Sequence, residues 1–249
     1  MGRAFVTQPP DAWRLAAMTM MPREQLHALL AGDPSDAAAW VRAAAACGIP
    51  EAQVRLGRML LDGHGVVQDA RAALALFLSA AEHGDIDAQN MAGRCYENGW
   101  GTERDSARAA AHYRCAADAG LAWAQYNLGH LLLDGNGVAR DHGAAFSWYM
   151  RAAAQGHERA MNLVARCLEQ GWGCARDLKA ARKWYRQSAE GGYFRGAYNY
   201  ATILAGDGCI AGALRWFRQA LCLAPEPTCS NIAMALRQHP EPRVRALAA

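Results

Sequence analysis

The sequence predicts an all-α array of about five stacked 36-residue helix-turn-helix repeats, and three observations carry that prediction. The first is a recurring loop. "LDGHGVVQD" ends at Asp69, "ENGWGTERD" at Asp105, "LDGNGVARD" at Asp141 and "EQGWGCARD" at Asp177, each 36 residues after the last. The second is a shared register around it. Leu56-Gly57, Ala92-Gly93, Leu128-Gly129, Val164-Ala165 and Tyr200-Ala201 align, and an aromatic follows twenty residues later at Phe77, Tyr113, Tyr149 and Tyr185. The third is composition. Only 13 of 249 residues are Val or Ile, while Ala, Leu, Arg, Gln and Glu recur throughout, a bias that favours helices over a sheet.

Each element follows from the pattern. Ala52, Leu56 and Leu60 fall at i, i+4 and i+8 and give a first helix its apolar stripe. Gly57 leaves room on that helix for a close neighbour. Gly63 and Gly65 supply the positive φ values that end the helix and reverse the chain. Asp69 is the expected N-cap of a second helix, its carboxylate accepting from exposed backbone N–H groups. Ala73, Phe77 and Ala81 form the stripe of that helix, and Gly84 closes it.

The array is expected over residues 52–225, in units 52–87, 88–123, 124–159, 160–195 and 196–225. Residues 1–21 read as a flexible tail, and 22–51 as a degenerate capping helix pair ("PREQLHALLAGDPSDAAAWVRAAAACG"). Residues 226–249 read as a capping helix ("TCSNIAMALRQHP"), stopped by Pro240 and Pro242, followed by a frayed tail. Atypical ends are what a stacked array needs to cover its terminal apolar faces. The fifth unit has a shortened loop, "AGDGCIAGALRWF", without the capping Asp at its usual spacing. A weaker 72-residue pattern underlies the first: Cys95 matches Cys167, Glu97 matches Glu169, and Trp100 matches Trp172.

The repeated glycine loop is therefore architecture and not a site. No copy carries the Gly-Lys-Ser/Thr of a phosphate loop, and no parallel sheet is on offer for a dinucleotide. Asp62 and Asp134 become Asn98 and Gln170 in alternate copies, too few carboxylates for calcium.

These residues resemble the Sel-one-like repeat family, a relative of the tetratricopeptide repeat. The stretch "AQYNLGHLLLDGNGVARDHGAAFSWYMRAAAQG", Ala124 to Gly156, carries the likeness almost throughout, and it extends over about residues 52 to 220. The resemblance implies a right-handed α/α superhelix and a protein- or peptide-binding scaffold or adaptor.

It also implies that first helices line a concave groove. The residue after each Leu-Gly pair would then face a partner: Arg58, Arg94, His130 and Arg166, with Thr202 last. One turn earlier stand Val54, Asn90, Tyr126, Asn162 and Tyr198. Arg would fork onto carboxylates, Asn would pair with peptide backbone and Tyr would stack, so the expected partner is an acidic or extended peptide. The bland alternative is a self-paired surface. Glu97 and Glu169 lie at i+3 from Arg94 and Arg166, and Asp62 and Asp134 at i+4 from Arg58 and His130, pairs worth about 0.2–0.5 kcal/mol each. Trp100 and Trp172, between the loop glycines, are second-tier binding candidates against a packing role.

Other classes find little support. A net charge of +3 at pI near 8.5 marks neither a nucleic-acid nor a membrane partner. The eight histidines and six serines form no catalytic signature. No C-x-x-C pair occurs among the eight cysteines, so no metal or other cofactor is expected. The N-terminus lacks the apolar core of an export signal. The reading is a cytoplasmic, monomeric, non-enzymatic adaptor. A structural subunit of a stable complex shares every feature and stands as the alternative, ahead of an enzyme with an unmarked site.

Overall fold

The computed structural model describes residues 31–248, together with Arg14, Ala17 and Glu24. The expected tail over 1–21 and the first half of the N-terminal helix pair lie, apart from those three positions, outside the described residues. Among the described residues the secondary structure is helical, without a strand. The chain divides into two compact units, one ending at Ala119 and the other beginning at Gly120.

The first unit contains α1 (Pro34–Ala46), α2 (Pro50–Asp62), α3 (Ala70–Glu82), α4 (Ile86–Asn98) and α5 (Ser106–Asp118). The second contains α6 (Ala122–Asp134), α7 (His142–Ala154), α8 (Glu158–Gln170), α9 (Leu178–Glu190), α10 (Phe194–Gly206), α11 (Ile210–Leu223), α12 (Thr228–Arg237) and α13 (Pro242–Arg245), then a 3-10 turn over Ala246–Ala248. Within each unit every helix packs on the next in sequence up to α11, and first-type helices also touch: α2 with α4, and α8 with α10. That is the stacked helix-pair order of an all-α solenoid.

The repeated loop has one geometry throughout. Gly63, Gly99, Gly135 and Gly171 end first helices in the left-handed conformation, each N–H bonded to the carbonyl four residues back. The next N–H reaches the same carbonyl, as from His64 to Met59 at 3.0 Å, which closes the turn in Schellman fashion. Asp69, Asp105, Asp141 and Asp177 then accept from Ala72, Arg108, Ala144 and Ala180 N–H at 2.9 Å. The second loop glycine also joins repeats. A Cβ on Gly65, Gly101 or Gly173 would lie 2.1, 2.2 and 2.0 Å from the carbonyl oxygens of Pro34, Ala70 and His142, which belong to the preceding second-type helix.

Burial follows the second-helix stripe. Phe77, Tyr113, Tyr149 and Phe217 are fully enclosed. A Cβ on Gly57, Gly93 or Gly129 would fall 2.5–2.7 Å from the facing ring of Phe77, Tyr113 or Tyr149. The glycine is what lets helix and ring touch. The fourth and fifth units carry Ala165 and Ala201 there, both buried.

Both described ends are sealed. Ala38, Val41 and Ala45 of α1 cover Leu56 and Met59. At the other end Ile232, Leu236, Val244 and Ala248 cover Leu204, Leu214 and Phe217. Residues 242–248 are therefore not the frayed tail expected from the sequence. Pro240 and Pro242 stop α12, but Pro242 sits at the first position of α13, where its fixed φ is pre-set for a helix. Arg237 Nε donates to the Ala248 carbonyl at 2.7 Å and pins the terminus.

Candidate functional site

The eight principal candidates all lie on first-type helices, three in the first unit and five in the second. In the first unit Arg58 and Arg94 are exposed and Asn90 is buried. Arg58 does not pair with Asp62 of its own helix. Its guanidinium lies 3.9 Å from Asp87 at the start of α4, both side chains being more than half exposed. Such a pair contributes at most about 1 kcal/mol.

Nor do Glu97 and Glu169 neutralise Arg94 and Arg166 as the i+3 reading expected. Each accepts a hydrogen bond from the buried hydroxyl of the partner helix instead, Tyr113 to Glu97 at 2.5 Å and Tyr185 to Glu169 at 2.9 Å. Burial, then the adjoining carboxylate, pushes both phenols well above their ordinary range. The arginines lean the other way, over the loop tryptophans. The Arg94 and Arg166 guanidinium carbons sit 5.1 and 5.4 Å from the ring centroids of Trp100 and Trp172. Trp100 and Trp172 are thus half-buried platforms for the arginines, an arrangement that orients a cation without cancelling its charge.

In the second unit Tyr126 and His130 belong to an aromatic cluster. Tyr126 meets the rings of His130 and His157 at 4.6 and 4.9 Å, and Trp123 meets His157 at 4.4 Å. Burial lowers the His130 pKa; the Asp134 carboxylate works against this, while the charges of Arg166 and Arg195 add to it. His130 accordingly presents a neutral ring at pH 7 and not the cation expected from its register.

The remaining candidates converge. Asn162 and Arg166 of α8, Phe194, Arg195, Tyr198 and Asn199 of α10, and Thr228 and Ile232 of α12 enclose an open pocket of about 290 Å³. Each helix contributes by one-turn spacing: 162 and 166, 194 and 198, 195 and 199, 228 and 232, which puts each pair on one face. The Asn199 amide donates to Asn162 Oδ1 at 2.9 Å, leaving the Asn162 N–H groups to donate. Asn162 is 4% exposed, so its amide is fixed by packing. Neither Arg166 nor Arg195 has a carboxylate within ion-pair distance among the described residues. Arg195 rests against the Phe194 ring at 5.6 Å.

Of the residues expected from the register, Asn162, Arg166 and Tyr198 line this pocket; Phe194, Arg195, Asn199, Thr228 and Ile232 line it without having been expected there. A signal for Arg195 existed. The second residue of successive first helices runs Glu51, Asp87, Trp123, Arg159, Arg195, a change from acidic to basic along one register.

Among the described residues no group of three or more His, Cys, Asp or Glu could hold a metal ion. All eight cysteines are free thiols. Burial pushes Cys95 up to about 11 and Cys167 up to about 12, which leaves them as inert apolar packing. No helix of the described residues is long and apolar enough to cross a membrane.

Antiparallel helix pairs joined by a glycine turn and an Asp cap, repeated along the chain, define a helical-repeat protein. Within that class the chain belongs to the Sel1 repeat family, whose repeat matches residues 50–85, 86–121, 124–157 and 158–193, more than half of its length. Among solved structures it is similar to a Sel1 repeat protein from Oxalobacter formigenes, with a TM-score of 0.77 and 24% identity over 89% of this chain and 96% of that one. It is also similar to a protective antigen of uropathogenic Escherichia coli strains, with a TM-score of 0.72 and 27% identity over 92% of this chain. Here the match spans only 50% of the antigen. No curated protein matches the sequence. Sel1 and related repeats commonly mediate protein–protein interactions, and the family is generally a non-enzymatic scaffold.

Proposed function

We propose that the protein is a non-enzymatic interaction adaptor, acting as a monomer, that holds an acidic or extended peptide segment of a partner on its first-helix face. One observation carries the reading. Asn162, Arg166 and Tyr198, three residues of the register expected to face a ligand, line a pocket that also holds Arg195 and no carboxylate. Its polar lining suits a peptide: amide donors for backbone carbonyls, forked guanidinium donors for carboxylates, and Phe194 and Ile232 as apolar walls. Arg58, Asn90 and Arg94 form a corresponding row in the first unit, in which an acidic residue, Asp87, already lies 3.9 Å from Arg58. The principal contact is therefore assigned to the second unit.

The test is to pan a random peptide library against the full chain and measure the enriched peptides by fluorescence anisotropy. Sequences rich in Asp and Glu are expected to emerge. They should bind the Arg166→Glu variant at least about tenfold more weakly, as loss of one charge-assisted contact implies, while Arg58→Glu has little effect. Equal binding to the wild type and Arg166→Glu, with both folded by circular dichroism, would remove the pocket from the adaptor reading.

A further inference from the structure

Resting on that reading, the charge register narrows the ligand. Arg58 and Asp87 stand 29 residues apart, and so do Arg166 and Arg195. In the first unit this spacing brings a carboxylate to the groove arginine. In the second it places another arginine, and both arginines line the same pocket. Two like charges in one open pocket, neither with a carboxylate at ion-pair distance among the described residues, favour an anionic ligand.

A single carboxylate is a poor match for that pair. It carries one charge, and one forked guanidinium satisfies it, so the second arginine would remain uncompensated. A phosphoryl group carries about −1.5 to −2 charge and three acceptor oxygens, enough for both arginines together with the Asn162 amide. The remaining lining suits what would surround it. The hydroxyls of Thr228 and Tyr198 can donate, while Phe194 and Ile232 offer apolar wall to the rest of a side chain. The Arg166 guanidinium rests over Trp172 and that of Arg195 over Phe194, so both cations are restricted before any ligand arrives.

We propose that the pocket between α8, α10 and α12 receives a phosphorylated side chain of the partner peptide, clamped between Arg166 and Arg195. Unlike the acidic-peptide reading, this makes partner binding conditional on modification of the partner.

The experiment uses peptide libraries with a fixed central phosphoserine, phosphothreonine or phosphotyrosine and degenerate flanks. Matched libraries carry Ser, Thr, Tyr, Asp or Glu at the centre. The full chain, Arg195→Gln and Arg166→Gln are assayed against each by anisotropy, with inorganic phosphate as competitor. At least one phosphorylated library is expected to bind about tenfold or more tightly than its Asp or Glu counterpart. Arg195→Gln should abolish that preference, the phosphorylated library losing several-fold more affinity than the Asp and Glu libraries, and Arg195→Lys should restore part of it. Equal retention of the acidic and phosphorylated libraries would overturn the phosphoryl clamp and leave the acidic-peptide adaptor standing. Retention of no library would overturn both. Competition by inorganic phosphate without any retained peptide would reduce the pocket to a small-anion site and overturn the peptide occupant.

Discussion

The two units use the same register positions and obtain opposite results from them. Arg58 in the first unit meets Asp87; Arg166 in the second shares a pocket with Arg195. The interior shows a contrast between neighbouring repeats. Tyr113 in the first unit and Tyr185 in the second donate buried hydroxyls to Glu97 and Glu169, whereas Tyr149, in the repeat between them, has a buried hydroxyl without a hydrogen-bond partner. The glutamate register there is Leu133. Packing is repeated almost atom for atom, and polar pairing is not. An array of this kind keeps its shape through repeated Ala, Gly and aromatic contacts and varies what it does through single polar substitutions between neighbouring repeats.

The sharpest way to break that contrast is to delete the two hydroxyls. Tyr113→Phe should cost about 1–3 kcal/mol, because Glu97 keeps its charge and loses its donor. Tyr149→Phe should be neutral or slightly stabilising, because the hydroxyl it removes is already unpaired. Urea titrations followed by circular dichroism measure both. Equal losses in the two variants would mean that the Tyr149 hydroxyl is as well satisfied as that of Tyr113 and would remove the contrast.

A smaller effect is expected at the caps. Asp141 accepts from Ala144 N–H at the start of α7, whereas Cys209 at the start of α11 makes no side-chain cap. Asp141→Ala should cost about 1 kcal/mol, and Cys209→Ala much less. Peptide affinity should be unchanged in both, since neither residue lines the pocket. A loss of affinity in Asp141→Ala without a fall in melting temperature would return the glycine loop to the list of sites.

The period, the loop and the buried aromatics were all legible in the sequence because each is a local consequence of helix geometry repeated every 36 residues. Asp69, Asp105, Asp141 and Asp177 cap where their spacing said they would. The misread pairings share one physical cause: they matched residues within a helix when the decisive neighbour lay on another. Glu97 and Glu169 were matched to arginines one turn away, yet they turn inward to tyrosines of the following helix. Arg195 went unread for the same reason, since its relation to Arg166 is across repeats and shows only in the register that compares successive first helices. The pocket's third wall, Thr228 and Ile232, comes from the C-terminal cap, which repeats nothing.

The smallest predicted effect concerns His157, the N-cap of α8. Its Nδ1 accepts from Ala160 N–H at 3.1 Å, so the ring proton sits on Nε2, which is buried without a partner. Burial lowers its pKa; the Glu158 charge works against this and the Arg159 charge adds to it. Protonation would have to occur on Nδ1 and would destroy the cap. With the folded pKa below the unfolded value of about 6.5, the unfolded chain binds the extra proton more readily in that window. Stability is therefore highest above about pH 6.5 and declines as pH falls towards the lowered folded value. His157→Asn keeps an acceptor for the cap but cannot titrate, so its melting temperature should fall less than that of the wild type between pH 7.5 and 5. His112 and His130, also lowered by burial, remain in both proteins and set the slope they share. Identical slopes would show that the cap survives protonation and that the His157 ring leaves its buried position at little cost.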